Sequence, residues 1–323
     1  MEISALKNNG AKLKATIIFS YDCECLWGML DHMETLRKED FNKKNFEDVY
    51  KKLLGLHEKY NIPATFAIVG NLTQTQDEFN ISLKNASKAH NVSRWLNCKK
   101  KYESSFHKAD WFYPKLINLI KSYNVDHEIA TQGFSHAVMN ENFSKEDIDY
   151  EISEMRKWEK AKNLIIETII FPRNVISQNF LDQADFINGY RRDPYNPFKL
   201  RFLKRAYSLL KEFIPLCKSE HHRIYKNKVE IPGGFFINWR SGLRRFAPIW
   251  LSKLRLRNAL LHARKTSGVV HLWSHPHNLI TGHKQFQLHE ELLKYVSEFC
   301  KREQCEILTQ KNFCKNILNN KNF

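Results

Sequence analysis

Ala15-Thr16-Ile17-Ile18-Phe19-Ser20-Tyr21-Asp22-Cys23-Glu24, continued by Cys25-Leu26-Trp27-Gly28, is the stretch on which the fold of this 323-residue chain turns. A β-branched apolar run that stops abruptly at acids reads as a buried strand delivering carboxylates to its C-terminal end. Side chains alternate across a strand, so Asp22 and Glu24 share one side and Cys23 and Cys25 the other for as long as the strand persists. Two acids on one side can hold a metal, or one can act as a base beside the other, since like charges push their pKa values apart. A polar strand end that caps a neighbouring helix would look the same in these residues alone.

Working outward, the same pattern recurs. Residues 64–69 read as a strand ending at Gly70. His127-Glu128-Ile129 runs into the polar residues Thr131 to His136. Residues 165–171 stop at Pro172-Arg173-Asn174, because proline cannot continue a central ladder. Residues 186–190, Val229-Glu230-Ile231 before Pro232-Gly233-Gly234, and residues 268–273 before Ser274-His275-Pro276-His277 complete the series. Helical segments fall between them. Phe46, Val49, Leu53, Leu54 and His57 recur at helical spacing, residues 111–122 read as a helix, and Ser144 with Asp147 forms a capping box before Ile148, Ile152 and Met155. Strands alternating with helices predict one α/β domain over residues 1–323, a parallel barrel of about seven units with its site at the C-terminal mouth. The polar stretch 74–108 lacks a sustained period and is expected to be an insertion folded over that mouth or partly mobile, with Trp95 as a local core anchor or a lid contact.

The 51 basic and 35 acidic residues leave a formal charge of +16, which draws the molecule towards phosphates, anionic lipid or acidic glycans. Without zinc-finger spacing, a P-loop or an RNA-binding signature, nucleic acid is not the expected partner. Cysteines at 23, 25, 98, 217, 300, 305 and 314 are odd in number and lack a Cys-x-x-Cys, so they read as reduced. With no apolar signal core at the N-terminus and no membrane span, the expectation is a cytoplasmic protein. Two basic helical segments, 199–211 and 243–265, admit two readings: apolar faces packed on the barrel with cations in water, or peripheral contact with the anionic inner face of a membrane.

Gathered from the strand ends, Asp22, Glu24, His136, Arg173, His275 and His277 combine carboxylate and imidazole, a mix suited to a divalent ion with groups left over for proton transfer. In these residues the chain resembles the polysaccharide deacetylases, the NodB-like proteins related to carbohydrate esterase family 4, which include chitooligosaccharide and peptidoglycan N-deacetylases and are related to allantoinases. The matching motifs are Ser20-Tyr21-Asp22-Cys23-Glu24 with Trp27-Gly28, His127-Glu128-Ile129 through Phe134-Ser135-His136, Phe171-Pro172-Arg173-Asn174, Val229-Glu230-Ile231-Pro232, and His271-Leu272-Trp273-Ser274-His275-Pro276-His277-Asn278.

The resemblance implies an irregular (β/α) barrel of about seven strands and a metal-activated water attacking an acetamide carbonyl. Asp22 falls at the catalytic base, His136 at a metal histidine, Arg173 near the arginine that orients the base, and His275 at the general acid. Two departures stand out. Cys23 replaces the second of two adjacent aspartates, so Glu24 becomes the metal carboxylate, as in an Asp-x-Glu branch of the family. Gln132 stands where the first metal histidine is normally found, four residues before His136, so Gln132, His277, Cys23 and Asn174 join the candidate site residues. The implied cofactor is a divalent metal, zinc first, with Mn, Co or Ni as alternatives. The implied partner is an N-acylated sugar or glycan precursor, lipid- or nucleotide-linked, in surface-polysaccharide biosynthesis. A catalytically silent glycan-binding relative, or a hydrolase of another amide, is the alternative.

Overall fold

The computed structural model describes residues 14–320 except 32, 37 and 199. The N-terminal residues behind the cytoplasmic expectation, and Lys199 at the start of the first basic segment, lie outside the described residues. Ten strands form one curled, mainly parallel sheet: β1 Thr16–Cys23, β2 Thr65–Ile68, β3 Glu128–Thr131, β4 Thr168–Ile169, β5 Gly189–Arg191, β6 Arg223–Tyr225, β7 Lys228–Ile231, β8 Phe235–Phe236, β9 Val269–Ser274 and β10 Glu306–Leu308. Their order is β6-β7-β5-β4-β3-β2-β1-β9-β8, with β10 added to β1, and among these strand pairs β6–β7 is the antiparallel one. The result is an irregular (β/α) half-barrel: the alternation of strands and helices predicts a barrel of about seven strands, and the short β6, β8 and β10 join the seven expected ones.

All eight residues of β1 are buried, as a parallel strand covered on both faces requires. Ile17, Phe19, Tyr21 and Cys23 point outward into the core between sheet and helices. Ile18 points inward, where it meets Val229, Ile231, Val269 and the C-terminal helix Gln310–Asn319 through Phe313 and Cys314. That helix plugs the bottom of the barrel. The Glu128 carboxylate beside it accepts from Thr65 Oγ1 at 2.7 Å, from the Lys311 amide at 2.9 Å and from Thr168. Parity then puts Ser20 one layer above Ile18 and Asp22 above that.

Three expectations change in detail. Residues 74–108 are folded, with helices Gln76–Asn85 and His90–Asn97 burying Phe79, Val92 and Leu96; each is too short to show a sustained period. The helix expected over 111–122 is confined to Leu116–Lys121; Trp111 instead ends a 3-10 turn, Lys108–Trp111, on the far side of Pro114. The strand expected over 165–171 pairs only at Thr168–Ile169. The second basic segment forms the helix Ile249–Thr266, and the first forms Arg201–Leu210.

Candidate active site

Asp22 is the last inward residue of β1, and it faces Arg191, the last residue of β5. The guanidinium grips the carboxylate as a fork, Nη1 to Oδ1 at 2.8 Å and Nη2 to Oδ2 at 2.7 Å. Asn174 Oδ1 accepts a further bond from Nη2 at 2.9 Å, and the Trp273 ring covers the guanidinium at 4.1 Å. Below this pair, His271 Nδ1 donates to the Pro232 carbonyl at 2.7 Å, which leaves Nε2 to accept from the Ser20 hydroxyl at 2.9 Å. Burial pushes His271 down to about 3, and Arg191 adds to the effect, so this imidazole is a neutral support under the ion pair.

No sequence motif points to Arg191, and Arg173 does not take the role expected for it. Arg173 sits at φ 57°, a turn that aims its side chain at the Gly28 carbonyl, 3.0 Å away, and at Asp31, with which it forms an ion pair. Cys23 also leaves the site: strand alternation buries it on the helix side of β1. Asn174 does reach the site, through Arg191.

Glu24 follows the strand, and Cys25 at φ 45° turns the chain behind it. Its Oε2 lies 2.9 Å from His136 Nε2 and accepts from Gln132 Nε2 at 3.1 Å. His275 Nε2 stands 3.4 Å from Glu24 Oε1 and 3.8 Å from Asp22 Oδ2, so it faces both carboxylates. The His277 ring tilts against His275 with centroids 5.0 Å apart. Burial disfavours charge on Glu24, but His275, His136 and His277 outweigh it and hold the carboxyl below its ordinary range. Burial, reinforced by His275, takes His277 down to about 3.

Glu24 can fold back in this way because residue 28 is glycine. A Cβ there would lie 2.1 Å from Glu24 Cδ. His136 is delivered by a loop in which it adopts φ 66°, and Glu151 holds that loop by accepting from the amides of Phe134 at 2.6 Å and Ser135 at 3.1 Å and from the Ser135 hydroxyl. Trp95, half-buried on the helix His90–Asn97, packs against His136 at 6.0 Å between rings, so the stretch 74–108 backs this histidine.

These groups lie in and beneath a cavity of about 630 Å³ lined by Asp22, Glu24, Gln132, His275, His277, Arg173 and Asn174, with Phe236, Trp239 and Trp273 among its walls and Arg244 at its lining. Among the described residues no group of three His, Cys, Asp or Glu side chains gathers around one metal position. Nevertheless, His136 Nδ1 and the carbonyl oxygen of Gln132 are buried without a hydrogen bond, and His136 Nε2 faces only the Glu24 carboxylate. Glu24, His136 and Gln132 therefore fit a divalent ion as a carboxylate, imidazole and amide set, poorer in strong donors than the usual zinc site.

No protein-family model and no curated protein sequence matches the chain. Solved structures do. A Mycobacterium smegmatis protein assigned to the polysaccharide deacetylases superposes with a TM-score of 0.57 at 14% identity, covering 97% of this chain and 94% of that one. The PuuE allantoinase superposes with a TM-score of 0.53 at 9% identity, covering 93% of this chain and 89% of that one. Likeness at such low identity is a statement about architecture, and it gives this chain the polysaccharide deacetylase fold.

Proposed function

We propose that this chain is a hydrolase of carbon–nitrogen bonds that removes an acetyl or similar acyl group from an amino sugar. The observation that carries the reading is the placement of Asp22 and His275 across the cavity floor, 3.8 Å apart, with Glu24 and His136 beside them. Arg191 fixes the Asp22 carboxylate in one orientation, with lone pairs left to take a proton from an attacking water. His275 is partly open to the cavity and stands where it can protonate the departing amine nitrogen. Phe236, Trp239 and Trp273 suit the C–H faces of a sugar ring. Glu24, His136 and Gln132 would hold a divalent ion, which when bound polarises the carbonyl and acidifies water. Arg244 by the cavity suits the diphosphate common to lipid- and nucleotide-linked precursors, and the process we assign is the assembly of a surface polysaccharide.

One observation favours a second reading, a silent glycan-binding relative: the Gln132 amide already bonds the Glu24 oxygen that a metal would use. Both readings meet in one experiment, metal content and acetate release from N-acetylated amino sugars for the wild type, Asp22→Asn and Gln132→His. Hydrolysis predicts acetate release by the wild type that falls at least about a hundredfold in Asp22→Asn. If Gln132→His binds metal and releases acetate while the wild type does neither, the silent reading is correct. Hydrolysis of ureide rings but not acetylated sugars would move the substrate to another amide.

A further inference from the structure

Twelve of the fourteen exposed large apolar side chains among the described residues fall between Tyr195 and Trp250. Leu200, Phe202 and Leu216 on one segment, and Leu243, Phe246 and Trp250 on the other, are each 59–77% exposed. The two segments adjoin. The buried Glu212–Arg255 ion pair joins them, and Asn258 Nδ2 donates to the Pro215 carbonyl at 2.8 Å. A folded chain rarely leaves so much apolar surface together in water without a partner for it.

Charge decides which partner. Residues 199–211 carry five cations and residues 243–265 carry seven. The one acid across 194–216 and 241–266 is Glu212, which is buried against Arg255. Lys204, Arg205, Arg245 and Arg257 are exposed beside the apolar side chains. Two copies of such a surface would repel each other, whereas an anionic bilayer offers hydrocarbon for the apolar residues and phosphates for the cations. No described helix is long and apolar enough to cross a membrane, so the contact is one of lying on the surface.

We propose that the surface formed by residues 200–216 and 243–257 docks this protein on an anionic lipid bilayer. The same strip reaches the site: Ser241 and Arg244 line the cavity while their neighbours Leu243 and Phe246 are exposed. Docking therefore brings the mouth of the cavity to the lipid surface. Taken with the sugar hydrolase reading, on which this last step rests, it selects a lipid-anchored glycan precursor over a nucleotide-linked one.

The test is co-sedimentation of the full chain with phosphatidylglycerol-containing vesicles and with pure phosphatidylcholine vesicles at low and high salt. Binding is expected to the anionic vesicles and to weaken as salt rises. Leu243→Ser, Phe246→Ser and Trp250→Ser combined should weaken it at least about tenfold. Lys204→Glu with Arg205→Glu should weaken it about fivefold or more per cation. Ile81→Ser with Ile165→Ser, exposed but outside the strip, should leave it unchanged. Circular dichroism melts check that each variant is folded. The proposal is overturned if the wild type binds neither vesicle at low salt, or if folded patch variants bind as the wild type does. It is equally overturned if sedimentation shows a dimer that the triple serine variant abolishes, which would make the strip a self-interface. Vesicle binding does not depend on turnover, so it stands or fails separately from the hydrolase reading.

Discussion

At the scale of single residues, the Arg191–Asp22 pair sets the strongest expectation, because both side chains are almost wholly buried. Removing one partner strands the other's charge, so Arg191→Met should lower unfolding free energy by about 3–5 kcal/mol in urea titrations. Arg191→Lys keeps the charge but loses the fork, and should cost less stability while still reducing turnover through a misoriented Asp22. Equal activity in Arg191→Lys and wild type would remove Arg191 from its positioning role. Gly28 makes a separate point. Its missing side chain is the space Glu24 occupies, so Gly28→Ala should displace the carboxylate and abolish any metal binding, with a modest change in melting temperature. Wild-type metal affinity in a folded Gly28→Ala would show that Glu24 is not the ligand.

Elements explain how such residues meet, and here strand parity does most of the work. The inward row of β9 runs Val269, His271, Trp273 and then His275; that of β5 runs Gly189 and Arg191. Asp22, Glu24, His136 and His275 come together from strand ends that sequence alone identifies, since an apolar run stopping at polar residues survives in the bare sequence. Arg191 is not legible there because the apolar run from Phe186 to Tyr190 stops one residue short of the functional side chain. Arg173 misled because a left-handed turn, invisible to periodicity, redirects it to Asp31. The loop carrying His136 depends on the helix Lys145–Ala161, whose Glu151 satisfies the Phe134 and Ser135 amides. Glu151→Ala would orphan both donors, and we expect a loss of about 2–4 kcal/mol in urea together with reduced activity as His136 wanders. A fully active, equally stable Glu151→Ala would show that the loop holds itself.

For the whole molecule the distinctive feature is how many titratable groups the half-barrel buries uncharged. Burial takes His57 and His271 to about 3, and His127 and His289 to about 4, from an ordinary value of 6.5. Unfolding lets each imidazole bind a proton it refuses in the fold. Their contribution is therefore complete above pH 6.5 and is lost as pH falls through the folded values near 4 and 3. Glu151 acts in the opposite sense: burial pushes its carboxyl from 4.5 up to about 7 despite the bonds from Ser135 and Phe134. The folded chain keeps that proton longer than the unfolded one, so this contribution is present below pH 4.5 and fades as pH rises to about 7. Below pH 4.5 the histidines act unopposed, and between 4.5 and 6.5 Glu151 partly offsets them. Urea unfolding at a series of pH values should thus show stability rising most steeply just above pH 4, where all four histidines act unopposed, less steeply from 4.5 to 6.5, and no further between 6.5 and 7. His57→Gln removes one titrating group whose ring is fixed between the Tyr21 hydroxyl at 2.7 Å and the Ile62 carbonyl at 2.8 Å. Between pH 4 and 6 its slope should fall by up to about 1.4 kcal/mol per pH unit relative to wild type. A slope unchanged in His57→Gln would mean that this histidine takes up its proton without unfolding the barrel.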